Sequence, residues 1–246
     1  DREGAIRVLP IGCISRGRMG SELAPMPELA SAGVVGFSDD GSPVMNAGLM
    51  LRALEFSSVS GLPVIDHCEH TGLTEGGVIN QGRISAGLGL RGMPSAAEEI
   101  MIDRDIALAR MTGGRLHIAH VSTEVSVDII RRAKAEGIRI TAEVTPHHLT
   151  LTEEMVTGQD TGYKVSPPLR TGKDVTALIK GLKDNVIDVI ATDHAPHTVD
   201  DKQCDFVHAA FGISGFETAF GSLMGLVHSG QLDLLTLISR LTCEPA

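Results

Sequence analysis

Four times along this chain a short apolar run ends in acidic residues or histidines. Residues 34–37 lead into Ser38-Asp39-Asp40-Gly41, 62–65 into Asp66-His67-Cys68-Glu69, and 116–119 into His120-Val121-Ser122. The fourth run, 188–191, delivers Thr192-Asp193-His194-Ala195-Pro196-His197. Runs nearly continuous in apolar or β-branched residues read as strands of a parallel sheet, buried on both faces. In a parallel α/β barrel every strand ends at one rim, where the catalytic groups gather. The repeated order of strand and then polar cluster therefore points to an α/β fold with its chemistry on one edge.

Two further runs, 6–11 and 138–144, bring the strand candidates to six. Amphipathic helices alternate with them, as βα units require. Ser95-Ala96-Ala97-Glu98 reads as a capping box opening a helix that runs to Gly113-Gly114. Thr171-Gly172-Lys173-Asp174 is a variant of it, followed by the i, i+3, i+4, i+7 stripe of Val175, Leu178, Ile179 and Leu182. A helix over 124–136 buries Val127, Ile130 and Ala133 and stops at Gly137. Loops 72–82 and 197–206 are expected to be the mobile segments over the site. Six strands fall short of an eight-stranded barrel, and the chain lacks an initiator Met and stops straight after a helical pattern. It is expected to be an excerpt of a longer protein, with residues 1–246 forming one barrel domain truncated at both ends.

The totals exclude several partners. A net charge of −10, with no Trp and one Tyr, leaves neither a basic footprint nor a stacking platform for nucleic acid. No stretch approaches the ~20 apolar residues that span a bilayer, so no membrane partner is expected. Cys13, Cys68, Cys204 and Cys243 lie far apart, which fits reduced thiols in a cytoplasmic protein. Cys68 is read as packing.

Asp40, His67, His120 and Asp193 form a set of two carboxylates and two imidazoles. That mixture suits zinc or another borderline first-row ion. Strand alternation puts His117 and His120 on opposite sides; His120, at the strand end, is the candidate, and His117 is expected half-buried between strand and helix. His197 either reaches a substrate carboxylate across the mouth or is an exposed loop histidine. His147 and His148 are expected to hydrogen-bond behind the ligands. Glu69 and Glu143 are either orienting groups or outward-facing charges.

These residues occur in an order that resembles the dihydroorotase family of the amidohydrolase superfamily. The likeness runs from Leu9-Pro10 to Phe211-Gly212-Ile213-Ser214-Gly215, through Gly36-Phe37-Ser38-Asp39-Asp40-Gly41, Asp66-His67-Cys68-Glu69, His120-Val121-Ser122-Thr123, Pro167-Pro168-Leu169-Arg170 and Ala191-Thr192-Asp193-His194-Ala195-Pro196-His197. The resemblance implies a partial TIM-like (β/α)8 barrel of the metal-dependent amidohydrolase type with one or two zinc ions at its C-terminal face. It implies that His67 and His120 bind the second metal, and that Asp193 binds the first and acts as general base. Asp40, which matches better than Asp39, would take the place of the carbamylated lysine found in many relatives. His197 would contact the substrate carboxylate. Ser166 stands where relatives often carry Asn as a substrate contact. The family's first-strand His-x-His and its substrate-binding Arg are absent from this sequence.

The resemblance further implies a zinc-dependent cyclic amidohydrolase that interconverts N-carbamoyl-L-aspartate and L-dihydroorotate in pyrimidine biosynthesis. A homodimer, or a complex with aspartate carbamoyltransferase, is the expected assembly. Two other readings share the residues: a hydantoinase or allantoinase, and a non-catalytic scaffold for aspartate carbamoyltransferase.

Overall fold

The computed structural model describes residues 6–246. Its strands are β1 (Phe37–Ser38), β2 (Val64–Asp66), β3 (Ile79–Asn80), β4 (Gly92–Met93), β5 (Leu116–Ile118), β6 (Ile140–Val144) and β7 (Val189–Ile190). Five of them form one parallel sheet in the order β1-β2-β5-β6-β7, and β3 pairs with β4 beside it. The register sorts side chains into rows. Phe37, Val64, Leu116 and Ile140 share one row and are all buried. The next row, Ser38, Ile65, His117 and Thr141, faces the other way and is half-buried or exposed. Period-two alternation thus gives the sheet an apolar outer face and a more polar inner face.

Helices Ala47–Ser60, Ala96–Thr112, Glu124–Ala135 and Gly172–Lys183 belong to the βα alternation. The main core joins Leu54, Ile102, Ile130 and Leu182 from these helices with Val64, Leu116, Ile118, Val144 and Ile190 from the strands. Removing each such side chain from water contributes roughly 1.5–3 kcal/mol, which makes this layer the main force holding the strand ends in register. Phe37 and Phe56 meet edge to face with centroids 5.8 Å apart.

Five of the six expected strands are present, within a few residues of their expected bounds. Segment 6–11 forms no strand. It runs beside β1, with Val35 N donating to Pro10 O at 2.9 Å and Gly12 N to Gly36 O at 2.9 Å, and only Gly12 bridges Phe37. Pro10 has no N–H to give a ladder, and Ile6, Val8, Leu9 and Ile11 are exposed. Loops 72–82 and 197–206 also carry structure. The first holds the short helix Thr71–Thr74 and β3, and the second the helix Val199–Lys202 capped by Thr198.

The capping signals divide. Thr171 and Asp174 form their reciprocal box, and Gly113 ends its helix at φ 68°. Ser95 makes no cap, since its backbone is already helical (φ −56°, ψ −33°), and the Glu98 carboxylate that would complete the box receives Ser122 N at 3.0 Å and Thr123 N at 3.3 Å instead.

Candidate metal centre

Asp40, His67 and His120 converge just beyond β1, β2 and β5. His67 Nδ1 lies 3.0 Å from His120 Nε2, and Asp40 Oδ1 lies 3.1 Å from His120 Nε2 and 3.5 Å from His67 Nδ1. Ligand atoms about 2 Å from a tetrahedral ion stand about 3.3 Å apart, so these three separations fit a common first-row cation. His67 Nε2 is already taken by Glu69 Oε2 at 3.1 Å, which leaves Nδ1 to face the cluster. Burial favours a neutral imidazole, yet hydrogen bonds to Asp40 and Glu69 outweigh it and push His67 up to about 10. Burial likewise works against the Asp40 charge, but His120 and His67 hold that carboxyl far below the usual range. The donor set of two imidazoles and a carboxylate therefore suits a metal ion.

Asp39 is excluded by its own partners. Its carboxylate accepts Ile14 N at 2.8 Å, Ser15 N at 3.1 Å and the Ser15 hydroxyl, so it ties down the preceding chain. Asp193 lines the same cavity as Asp40, His67 and His120 but stands outside their tight group. Burial raises its carboxyl above the usual range, the His120 charge opposes that rise, and Asp40 and Glu143 add to it. His120 (φ 32°) and Asp193 (φ 45°) are both left-handed, a region few non-glycine residues occupy and shared among the described residues by Arg18 and Asn185.

That backbone turn corrects the expectation for His117. Strand alternation ends at β5, and the left-handed His120 swings back to the inner face, where both histidines line a cavity of about 470 Å³. His117 lies beneath the centre, with Nδ1 2.8 Å from Thr141 Oγ1 and Nε2 3.1 Å from Glu143 Oε2. It does not sit between strand and helix.

The main cavity holds about 760 Å³, ample for a small metabolite. Ser166 lines it, and its hydroxyl donates to Glu69 Oε2 at 3.0 Å. His197 is exposed and donates Nε2–H to Phe211 O at 2.6 Å; Phe211 and Gly212, not His197, form the cavity wall there. Gly212 has φ 136°, and a Cβ on it would stand 2.7 Å from Ala195 O, so the crossing requires glycine. His194 Nδ1 accepts Gly215 N at 3.0 Å and Phe216 N at 3.2 Å, which makes it a loop anchor stacked on Phe216. Cys68 is buried beside Asp66 and Asp105, away from the cavity lining.

Of the two readings left open for Glu69, the orienting one fits: its carboxylate meets both His67 Nε2 and the Ser166 hydroxyl. One residue gains a part that the sequence did not single out. Lys164 is buried against the cavity, with Nζ donating to Val207 O at 2.7 Å and lying 4.4 Å from the Phe211 ring centroid.

His148 bridges Thr145 Oγ1 at 2.8 Å and Pro167 O at 2.9 Å. His147 is buried, its Nε2 has no partner, and burial, aided by the His120 charge, lowers it to about 3. The unfolded chain protonates this side chain near pH 6.5 and the folded one only near 3, so its contribution is intact above 6.5 and drains away as pH falls toward 3. Between neutrality and about pH 5 the loss is about 2 kcal/mol. Thermal unfolding midpoints measured over this window should fall less steeply for His147→Leu than for wild type. Identical slopes would count against a buried neutral His147.

The comparisons with known proteins fit this geometry. Residues 2–126 match the family model described as Dihydro-orotase-like. A dihydroorotase of Pelotomaculum thermopropionicum is 55% identical over 99% of this chain, and one of Thermoanaerobacter sp. is 53% identical over all of it. The chain belongs to the dihydroorotase-like family. It spans 57% of the length of both of these curated relatives. An L-hydantoinase (dihydropyrimidinase) from Arthrobacter aurescens superposes with a TM-score of 0.81 at 24% identity, covering 97% of this chain and 55% of that one. That likeness shows the fold alone, here five parallel strands of a partial α/β barrel. Among the described residues, no helix is long and apolar enough to cross a membrane.

Proposed function

We propose that the complete protein is a zinc-dependent dihydroorotase interconverting N-carbamoyl-L-aspartate and L-dihydroorotate. The observation that carries this reading is the cluster of Asp40, His67 and His120 with Asp193 on the same cavity, in a chain 55% identical to a dihydroorotase. Asp40, His67, His120 and Asp193 would hold one or two ions. When bound, zinc polarises a carbonyl and lowers the pKa of water toward about 7. Asp193 takes the proton from the attacking water and delivers it to the departing ring nitrogen; ring closure reverses both transfers. Its half-buried position and raised carboxyl support such a shuttle. Glu69 keeps His67 in the tautomer that presents Nδ1 to the ion. Ser166 orients substrate from the cavity wall. A role for His197 at the substrate carboxylate rests on the family likeness, since its Nε2 is held by Phe211 O at 2.6 Å outside the cavity lining.

The cytoplasmic setting is supported by four unpaired thiols. Assembly as a homodimer or with aspartate carbamoyltransferase rests on the family likeness. Purified complete protein should turn over L-dihydroorotate at least about 100-fold more efficiently than hydantoin or allantoin, a gap of about 2.7 kcal/mol in transition-state binding. Chelation should abolish the activity and zinc restore it. Turnover of hydantoin alone would favour the hydantoinase reading, and metal-bound protein inert to every cyclic amide would favour the scaffold.

A further inference from the structure

We propose that Arg170 positions two separate parts of this site, the segment carrying His120 and the cavity wall at Val78 and Met93, beside β3 and on β4. The inference rests on the metal-centre reading above. Just past β5, four consecutive backbone N–H groups are received by two glutamates. His120 N reaches Glu143 Oε1 at 3.4 Å and Val121 N reaches Glu143 O at 2.9 Å. Ser122 N and Thr123 N reach Glu98 Oε1 at 3.0 and 3.3 Å. This grip holds His120 in its left-handed conformation, since residues 120–123 lie beyond the end of β5.

Glu98 is 4% exposed and Arg170 3%, so the carboxylate depends on a buried countercharge. Arg170 Nη2 lies 3.6 Å from Glu98 Oε2, and Arg170 Nε donates to Ser122 Oγ at 2.9 Å, whose hydroxyl in turn donates to Glu98. One arm of the guanidinium thus closes on the His120 segment. The other arm points away. Arg170 Nη1 donates to Asn80 Oδ1 at 2.7 Å and to Met93 O at 3.3 Å. Asn80 belongs to β3 and Met93 to β4, and Val78 and Met93 line the main cavity. Asn80 is itself secured by donating Nδ2–H to Glu153 Oε2 at 2.6 Å. A lysine supplies one point charge and cannot reach Ser122, Asn80 and Met93 O together, whereas the planar fork does.

The two arms predict two separable defects. Ser122→Ala cuts the arm toward His120 without stranding a buried charge, and Arg170→Lys keeps the charge but loses the fork. Titration of metal-free complete protein with Co²⁺, read by its visible absorption, reports metal affinity without any substrate. Affinity should weaken about 10-fold in Ser122→Ala and about 10–100-fold in Arg170→Lys, the range for groups that orient metal ligands. Asn80→Ala cuts only the outer arm. It should bind Co²⁺ within about twofold of wild type and raise KM for dihydroorotate with kcat largely kept, as loss of uniform substrate binding requires. Wild-type Co²⁺ affinity in both Ser122→Ala and Arg170→Lys, even with lowered thermal stability, would overturn the inference and leave the metal centre standing. Equal weakening of Co²⁺ binding in Asn80→Ala and Ser122→Ala would overturn the division into two arms. Wild-type protein that takes up no Co²⁺ would overturn the metal-centre reading and this inference with it.

Discussion

Asp193→Asn in the complete protein is expected to lower kcat for dihydroorotate hydrolysis by about 10²–10⁴ while retaining most of the bound metal. The substitution keeps an oxygen of the same reach and removes only the capacity to accept a proton. Asn tolerates the left-handed backbone found at this position (φ 45°), so the change leaves the loop undisturbed. The pH profile adds a second signature. Burial raises the Asp193 carboxyl against the opposing His120 charge, and protonating it removes the base, so wild-type kcat/KM should fall on the acid side. In Asp193→Asn the limb that belongs to this carboxyl should vanish. Steady-state rates across pH check both, and near-normal turnover in the variant would place the base elsewhere. His194 is a poor alternative, since its Nδ1 is occupied by two backbone N–H groups.

His120→Ala and His67→Ala are expected to lower kcat/KM by more than about 100-fold, and His117→Ala by less than about 10-fold. All three imidazoles lie on the inner face or at its rim, so position alone does not separate them. Their partners do. His67 and His120 turn a nitrogen toward each other and toward Asp40 Oδ1. His117 spends both nitrogens on Thr141 and Glu143. Its removal strands those groups and should cost stability, about 1–3 kcal/mol in denaturant unfolding. His120→Ala should cost activity with little loss of stability.

The strand-then-ligand rhythm made the sheet and its reactive rim legible, because short parallel strands are buried by their outer face whatever the loops do. That Asp40, His67, His120 and Asp193 share one cavity was legible for the same reason, each standing one to three residues past its strand. Alternation failed at His117 because period two holds only within a strand, and the left-handed turn at His120 is a backbone event that its residue type does not announce. The capping box at Ser95 failed because Ser95 is itself helical and Glu98 is engaged elsewhere. A carboxylate buried beside Arg170 and two backbone N–H groups gains more than one reaching back to a helix end. Such a competitor, more than twenty positions away in sequence, is invisible to local pattern. Segment 6–11 had the composition of a strand, but Pro10 denies it a continuous ladder. The β3–β4 pair escaped notice because two residues per strand carry no periodicity, and its glycine acts through absence. A Cβ on Gly92 would stand 2.5 Å from Gln81 Cα, so the close approach depends on having none.

Metal analysis of four purified proteins, wild type, His67→Ala, His120→Ala and His117→Ala, decides whether His67 and His120 hold a metal ion. Each should be isolated as the complete protein and measured for zinc per chain by atomic emission. Zinc should be retained in wild type and His117→Ala and lost from His67→Ala and His120→Ala. Equal zinc content in all four would contradict that assignment.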